Sequence, residues 1–545
     1  MTAIGAVNEP AETRVGLLDR RRIIAETDFN RWLVPPAALA IHLCIGMAYG
    51  FSVFWLPLSR ALGHDKSIAC PDMSLIGALF TTTCDWRISD LTWIYTLFFV
   101  LLGLSAATWG GWLERAGPRK AGVVSAFCWC GGMLIAALGV IEHQLWMMWI
   151  GLGLIGGIGL GLGYISPVST LIRWFPDRRG MATGMAIMGF GGGAMIGAPL
   201  ANSLMTAFRT SDSVGVWQTF VAMAAIYFVF MIGGAFGYRL PAPGWRPRGW
   251  APAAAGPVSG NQVHLKDAHK TKQFWLIWAV LCLNVSAGIG VIGMASPMLQ
   301  EIFGGKLIGA PDVPFTALNP AQGAAVAAIA AGFTGLLSLF NIGGRFFWAS
   351  LSDLIGRKAT YFTFFALGIV LYASAPWAAH AGSRALFVLA ICIILSMYGG
   401  GFATIPAYLA DIFGTQFVGA IHGRLLTAWS TAGIVGPFVV AYLREAEIAA
   451  GVARESVYDV TLYILATFLA VGLLCNWAVK SLASKWFMSD EQVKSLQTAG
   501  VPDQHHHELA PPAFDMRAVF AWLAVGIPIL WGVWVTLKSA LVLFG

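Results

Sequence analysis

Thirteen long apolar segments recur along the chain, near residues 33–58, 91–113, 121–141, 145–172, 181–206, 217–239, 273–298, 322–350, 359–379, 384–410, 422–443, 458–479 and 518–537. A helix crosses the hydrocarbon core of a bilayer in about 20 apolar residues, and each segment reaches that length. Lipid offers no partner to a bare peptide group, so a chain dissolved in it must close its own backbone hydrogen bonds, as helices do. Composition points the same way. Of 545 residues, 57% are hydrophobic and 11% charged, against about 25% charged in soluble domains. The expected fold class is an all-α membrane protein with thirteen transmembrane helices.

A net charge of +7 raises nucleic acid as a partner, but the placement of the cations argues against it. With the N-terminus inside, the inside loops and tails hold 24 Lys and Arg and the outside ones 9. The positive-inside rule then orients a multi-pass protein of the cytoplasmic (inner) membrane, N-terminus inside and C-terminus outside. Arg20, Arg21 and Arg22 precede Leu33 by a full polar segment, so no cleavable leader is expected. The chain divides into a cytoplasmic tail (1–32), six segments (33–239), a cytoplasmic linker (240–272) that is Pro-, Gly- and Ala-rich and then basic, and six more segments (273–479). A polar cytoplasmic tail (480–517) and an extra segment (518–545) follow. In the long outside loop 60–90, SLIGALF reads as a short surface helix.

The two groups of six repeat at an offset of 239 residues. GWLERAGPRK, with Glu114, Arg115, Gly117, Arg119 and Lys120, answers ASLSDLIGRK, with Asp353, Gly356, Arg357 and Lys358. Pro167 answers Pro406, Gly180 and Gly184 answer Gly419 and Gly423, and Pro199 answers Pro437 after a one-residue slip. Duplicated six-helix halves mark a transporter that rocks about a midplane site.

An acidic residue, a basic residue and a glycine after the second and eighth helices resemble the inside-loop signature of the major facilitator superfamily. Within it, GLGYISPVSTLIRWFPDRRGMATGMAIMGFGGGA (161–194), GGRFFWASLSDLIGR (343–357) and YGGGFATIPAYLADIFG (398–414) resemble the oxalate/formate antiporter family. The resemblance covers roughly residues 30–485. It implies alternating-access transport of a small organic anion, with inside-gate roles for Glu114, Arg115, Arg119, Asp353 and Arg357. The last segment, with VFAWLAVGIPI, resembles a short accessory membrane subunit encoded beside some such transporters; the alternative is a plain thirteenth anchor.

Arg345 is the residue that asks for a function. It lies eight positions before Asp353, about 12 Å into the membrane at ~1.5 Å per residue, near mid-depth. A charge there is unfavourable by at least ~2.5 kcal/mol. Its counterpart in the first half is Ala106, so the fold does not require the charge, and no Asp or Glu lies in the core of any segment to pair with it. An anionic ligand is the expected partner, because the planar fork of guanidinium donors matches a carboxylate. Asn341 sits one turn earlier on the same face, where its amide can orient the guanidinium or donate to a ligand. Animal monocarboxylate transporters resemble this turn but place an aspartate at the Asn341 position. Asparagine removes that proton carrier and favours exchange or uniport, with a proton-coupled monocarboxylate symporter as the alternative.

The family pattern for oxalate adds a lysine on the eleventh helix. Segment 422–443 has none; it offers Thr427, Trp429, Ser430 and Thr431 inside and Arg424 at the inside mouth. One midplane cation favours a monoanion such as formate, lactate or pyruvate over oxalate. Tyr49, Tyr398 and Phe402 fall where the family lines its site with aromatics; the competing reading is core or lipid contact. His42, alone in its segment, reads as a satisfied core residue, with a pH-reporting role as the alternative.

Glycines crowd the fourth and fifth segments without a following GK[ST], so they serve close helix packing rather than phosphate binding. His505, His506 and His507 lack metal-ligand spacing and read as a solvated run. No cofactor, metal site or nucleophile–base pair is expected, which argues against an enzyme. Cys70 and Cys84 share the outside loop, where a disulfide can persist, and are a candidate staple. A transporter-like anion sensor would need an added signalling domain, and a channel would need symmetry across subunits. The lipid bilayer and a small organic anion are the expected partners. The oligomeric state has no signal, and a monomer is compatible with the pattern.

Overall fold

The computed structural model describes residues 16–26, 28–64, 66–70, 72–242, 245–247, 262–414, 417–489, 491–492 and 515–544. The histidine run 505–507 and the middle of the linker lie outside the described residues, as does the side chain of Glu114. Among the described residues, thirteen spans are long and apolar enough to cross a membrane. They are α1 (Arg31–Leu58), α2 (Ile88–Gly110), α3 (Pro118–Ile141), α4 (Leu145–Trp174), α5 (Gly184–Phe208), α6 (Val216–Gly237) and α7 (Lys272–Gly293). The rest are α8 (Pro320–Ile355), α9 (Arg357–His380), α10 (Arg384–Phe413), α11 (Val418–Ala449), α12 (Asp459–Ala478) and α13 (Met516–Leu541). The end from which α1 departs is called the tail face, and the opposite end, with loop 59–87, the loop face. The chain is a multi-pass membrane protein.

Helix ends follow local chemistry. Asn319 and Gln322 form a reciprocal capping box at the start of α8, with Pro320 in the first turn. Gly117 and Gly356 carry the repeated tail-face motif at φ 86° each, a left-handed turn that only glycine takes without strain. Each glycine caps the end of one helix and the start of the next, which begins at the following residue, so the acidic and basic members of the motif straddle a tight corner.

α1 is not a uniform helix. Gly46–Phe54 winds as a 3-10 stretch and carries Tyr49. α7 breaks at Met294, after which Ala295–Phe303 continues as a separate short helix. The first six spans meet the last six chiefly through α5 against α8 and α2 against α11. α8 is pinned between α5 and α10 by close backbone approach. A Cβ built on Gly344 would lie 2.0 Å from the Ser396 carbonyl oxygen, and one on Gly399 would lie 2.2 Å from that of Asn341.

Hydrogen bonds join the two groups from mid-depth to the loop face. Trp55 Nε1 donates to the Gly293 carbonyl at 2.7 Å, Ser296 N to Ser52 Oγ at 3.3 Å, and Trp93 Nε1 to the Tyr442 hydroxyl at 2.8 Å. In the loop beyond α1, Leu75–Phe80 forms the short helix, capped by Ser74. Cys70 and Cys84 are joined as a disulfide with Cα atoms 5.8 Å apart. Asp85 organises the same loop by accepting from the backbone N–H groups of Leu62, Gly63 and Ile68.

α13 packs along the seam between the groups, on α8, α5 and α1. Its Thr536 hydroxyl is buried and donates to the Met195 carbonyl of α5 at 3.2 Å, while Gly335 of α8 leaves room for that side chain. A Cβ on Gly335 would come within 2.3 Å of Thr536 Oγ1. Gly335→Leu is therefore expected to destabilise the protein by about 1–3 kcal/mol through overpacking. The added substitution Thr536→Gly should restore most of the thermal-unfolding midpoint, measured in detergent.

Candidate functional site

Arg345 is 5% exposed and sits where α5, α8, α10 and α11 converge. Its Nε donates to Asn341 Oδ1 at 3.1 Å, the one-turn pairing expected on a helix face. Glycine makes the crossing with α5 possible: a Cβ on Gly191 would lie 3.3 Å from Arg345 Nε and 3.4 Å from Asn341 Oδ1. The Ser338 hydroxyl, one turn earlier on α8, donates to the Gly191 carbonyl and ties the two helices.

Aromatic rings enclose the guanidinium. Its carbon lies 5.7 Å from the Phe402 ring centroid, within cation–π range. Phe402 stacks edgewise on Trp429 at 4.7 Å and on Tyr398 at 5.4 Å. The Tyr49 hydroxyl bonds that of Tyr398 at 2.9 Å across the two groups of helices. All four rings are buried. Tyr164 and Phe190 complete the enclosure against Trp429, and Phe99 packs on both Tyr49 and Trp429. These three were not singled out in the sequence; they come from α4, α5 and α2, and no periodicity within one helix links them to Arg345.

Within this enclosure, Arg345 Nη1, Asn341 Nδ2 and Trp429 Nε1 are buried donors with no hydrogen-bond partner among the described residues. A buried donor without an acceptor is unfavourable by about 1–3 kcal/mol, more when charged. No ion pair of Arg345 with a carboxylate occurs among the described residues. The arrangement can take an acceptor-rich anion small enough to fit between rings. On α11 the helix register selects Trp429. Thr427 instead accepts from Trp278 Nε1 at 2.9 Å, and Thr431 donates to the Thr427 carbonyl.

At the tail face, Arg357 pairs with Asp353 one turn away and lies 3.9 Å from Asp411 on α10, a carboxylate that the sequence reading passed over. Arg119 donates to the carbonyls of Leu17 and Phe236, and no carboxylate pairs with it among the described residues. The reason lies in α6, whose C-terminal carbonyls have no helical donor and attract a cation. Arg115 is exposed. Arg31, at the start of α1, makes a two-pronged pair with Asp177 at 2.7 and 3.0 Å.

The loop face holds a second buried guanidinium. Arg444 Nε donates to Glu301 at 2.8 Å, and Arg454 and the Tyr458 hydroxyl reach the same carboxylate at 3.1 and 2.6 Å. Arg444 also bonds Glu445, and Arg87 pairs with Asp90 nearby. Arg87, Glu301, Arg444, Glu445 and Arg454 border a cavity of about 660 Å³ between the two groups of helices. The cluster lies just beyond the apolar segments, so a search for carboxylates inside them could not find it.

Thirteen spans in this arrangement, with a buried Arg345 that no carboxylate pairs among the described residues, are those of a membrane transport protein rather than an enzyme. A family model described as the Major Facilitator Superfamily matches residues 38–437, and the chain belongs to that superfamily of transporters. It is 28% identical over 414 residues to the oxalate:formate antiporter of Oxalobacter formigenes, covering 75% of this chain and 83% of that protein. It is 25% identical to apicoplast pyruvate carrier 1 of Toxoplasma gondii, covering 70% and 78%. Among solved structures, a bacterial homologue of the human lysosomal transporter Spinster, inward-facing and unoccupied, superposes with a TM-score of 0.58. It is 15% identical and covers 84% of this chain and 98% of that one.

Burial raises the Glu301 carboxyl, but Arg444 and Arg454 outweigh it and hold the group below its ordinary value. A depressed carboxylate stabilises the fold above its unfolded value near ~4.3 and loses that contribution as pH falls through the folded value. Glu301→Gln is expected to leave Arg444 buried without its counter-charge and to destabilise the fold by about 3–5 kcal/mol. Its unfolding midpoint should also lose part of the wild-type decline below about pH 4, read by thermal unfolding across pH.

Proposed function

We propose that the protein is a secondary active transporter of small carboxylate anions, monocarboxylates favoured, that works by alternating access in the cytoplasmic membrane. One observation carries the reading: a guanidinium enclosed at mid-depth with unpaired donors beside it and no carboxylate partner among the described residues. By their names, the antiporter and the pyruvate carrier handle small carboxylates, which is the chemistry a guanidinium fork accepts.

In this reading a carboxylate bridges Arg345 while Asn341 holds the fork in plane. Trp429 and the Tyr49–Tyr398 pair donate neutral hydrogen bonds, and Phe402 excludes water. The halves 33–239 and 273–479 rock about this point. A bare guanidinium resists enclosure between closing apolar walls, and a bound anion neutralises it, so the loaded carrier closes more readily than the empty one. That bias favours exchange. The tail face lies in the cytoplasm, with the N-terminus inside and the C-terminus outside. Glu114, Arg115 and Arg119 on one side and Asp353 and Arg357 on the other control its opening.

Arg345→Ala and Arg345→Lys are both expected to reduce uptake into proteoliposomes more than ~100-fold, since each lost charge-assisted bond is worth about 1.5–3 kcal/mol. Yield and insertion should hold. Normal transport by Arg345→Ala would remove the reading, and normal transport by Arg345→Lys would remove only the need for a fork.

Charge balance sets the substrate. Arg345 neutralises one carboxylate, and a second negative charge in a dry site is unfavourable by several kcal/mol. At about pH 8, formate, lactate or pyruvate should therefore displace a labelled monocarboxylate at least ~10-fold better than oxalate does. Trp429→Lys should shift that ratio toward dicarboxylates. Tight oxalate binding with weak monocarboxylate binding in the wild type would overturn the one-cation argument.

A further inference from the structure

His42 of α1 is fully buried, one turn of α5 away from the anion site. Its Nδ1 lies against the Ala186 carbonyl oxygen, and its Nε2 is 3.1 Å from the Tyr164 carbonyl oxygen. A third carbonyl, that of Gly163, also faces the ring. Pro167 explains its availability. Proline has no N–H, so the carbonyl four residues earlier in α4 loses its helical donor.

Both ring nitrogens thus meet acceptors. A neutral imidazole has one N–H and one lone pair, so one of its nitrogens must point a lone pair at a carbonyl oxygen. Only the doubly protonated ring donates to both. The repeat shows that the fold does not demand a histidine here. Gly50 and Pro57 answer Gly290 and Pro297, which sets Cys282 at the corresponding position of α7.

The surroundings connect this ring to Arg345. On α5, Ala186 touches His42, Phe190 lies edge-on to both His42 and Tyr49, and Gly191 abuts Arg345. From α4, Tyr164 stacks on His42 at 5.5 Å and meets Trp429 edge-on. Among the described residues, the ionisable groups that act on the ring are Tyr164 of α4, which stacks on it, and Arg345 of α8. Arg345 is the charged one. It opposes a second positive charge on His42 until an anion cancels it.

We propose that His42 is a proton-binding site coupled to the anion site, taking up a proton from solvent when a carboxylate occupies Arg345. Proton and monoanion then cross together as a neutral pair on each stroke of the exchange. This rests on the carboxylate reading and adds to it the coupling ion. By linkage, anion and proton each raise the other's affinity by the same factor. An imidazole, with an ordinary value near ~6.5, is the side chain suited to this exchange near neutral pH.

The test uses the purified full chain in weak buffer with a pH-indicator dye, titrated with formate, pyruvate and oxalate between about pH 6 and 8. In the wild type, proton uptake per anion should grow as pH falls toward about 6. Anion affinity should then rise by up to about tenfold per unit fall in pH. His42→Gln should bind with no proton uptake and with the same affinity at both ends of the range. Pro167→Ala keeps the imidazole but returns a helical donor to the Gly163 carbonyl, and should move proton uptake to lower pH. If His42→Gln does not fold, that shift decides the matter, and its absence overturns the proposal. Anion binding without proton uptake in the wild type, or equal uptake in His42→Gln, overturns it while sparing the carboxylate reading. Failure of every carboxylate to bind overturns both.

Discussion

The guanidinium of Arg345 is held where lipid, aromatic rings and helix backbones leave little room for water, and the packing of the bundle is arranged around that fact. α8 reaches the position because glycines on α5 and α10 let neighbouring backbones close on it. Asn341 fixes Nε from the same helix, and Ser338 ties α8 to α5 one turn away. None of these contacts neutralises the charge. They orient it, and that is what a binding group needs: a charge whose direction is set before the ligand arrives.

The second buried guanidinium makes the first one informative. Arg444 is as deeply enclosed as Arg345, yet it meets Glu301 through two of its nitrogens and Glu445 through the third. The chain therefore neutralises a buried arginine where structure alone is at stake. At Arg345 it supplies an amide, rings and unpaired donors instead. Two guanidinium groups in one bundle, one compensated and one open, set a structural ion pair beside the proposed binding site.

Position adds to the contrast. The compensated cluster stands at the loop face beside a large charged cavity. The Tyr49–Tyr398 pair and the Trp55–Gly293 bond join the two groups of helices. α13 reinforces the same region from outside, since it grips α5 and α8 together along the seam between the two groups. The 3-10 stretch of α1 and the break in α7 fall beside these contacts, where a helix that is already irregular can bend at low cost.

The sequence by itself determined the number of spans, the duplicated motif and the pairs that share one helix. Thirteen apolar segments became thirteen spans because lipid forces each to close its own hydrogen bonds. Gly117 and Gly356 were legible as members of the repeated loop motif, and Asn341 and Arg345 as a one-turn pair, because helical periodicity fixes neighbours within a helix. Tertiary structure decided what lies across helices. It brought Phe99, Tyr164 and Phe190 to the site, chose Trp429 over Thr431, turned Arg119 toward carbonyls, and joined Glu301 to Arg444 over 143 residues. Those contacts depend on rotation and depth of one helix against another. Both are set by side chains and glycines far apart in the chain, and no periodicity within a single segment encodes them.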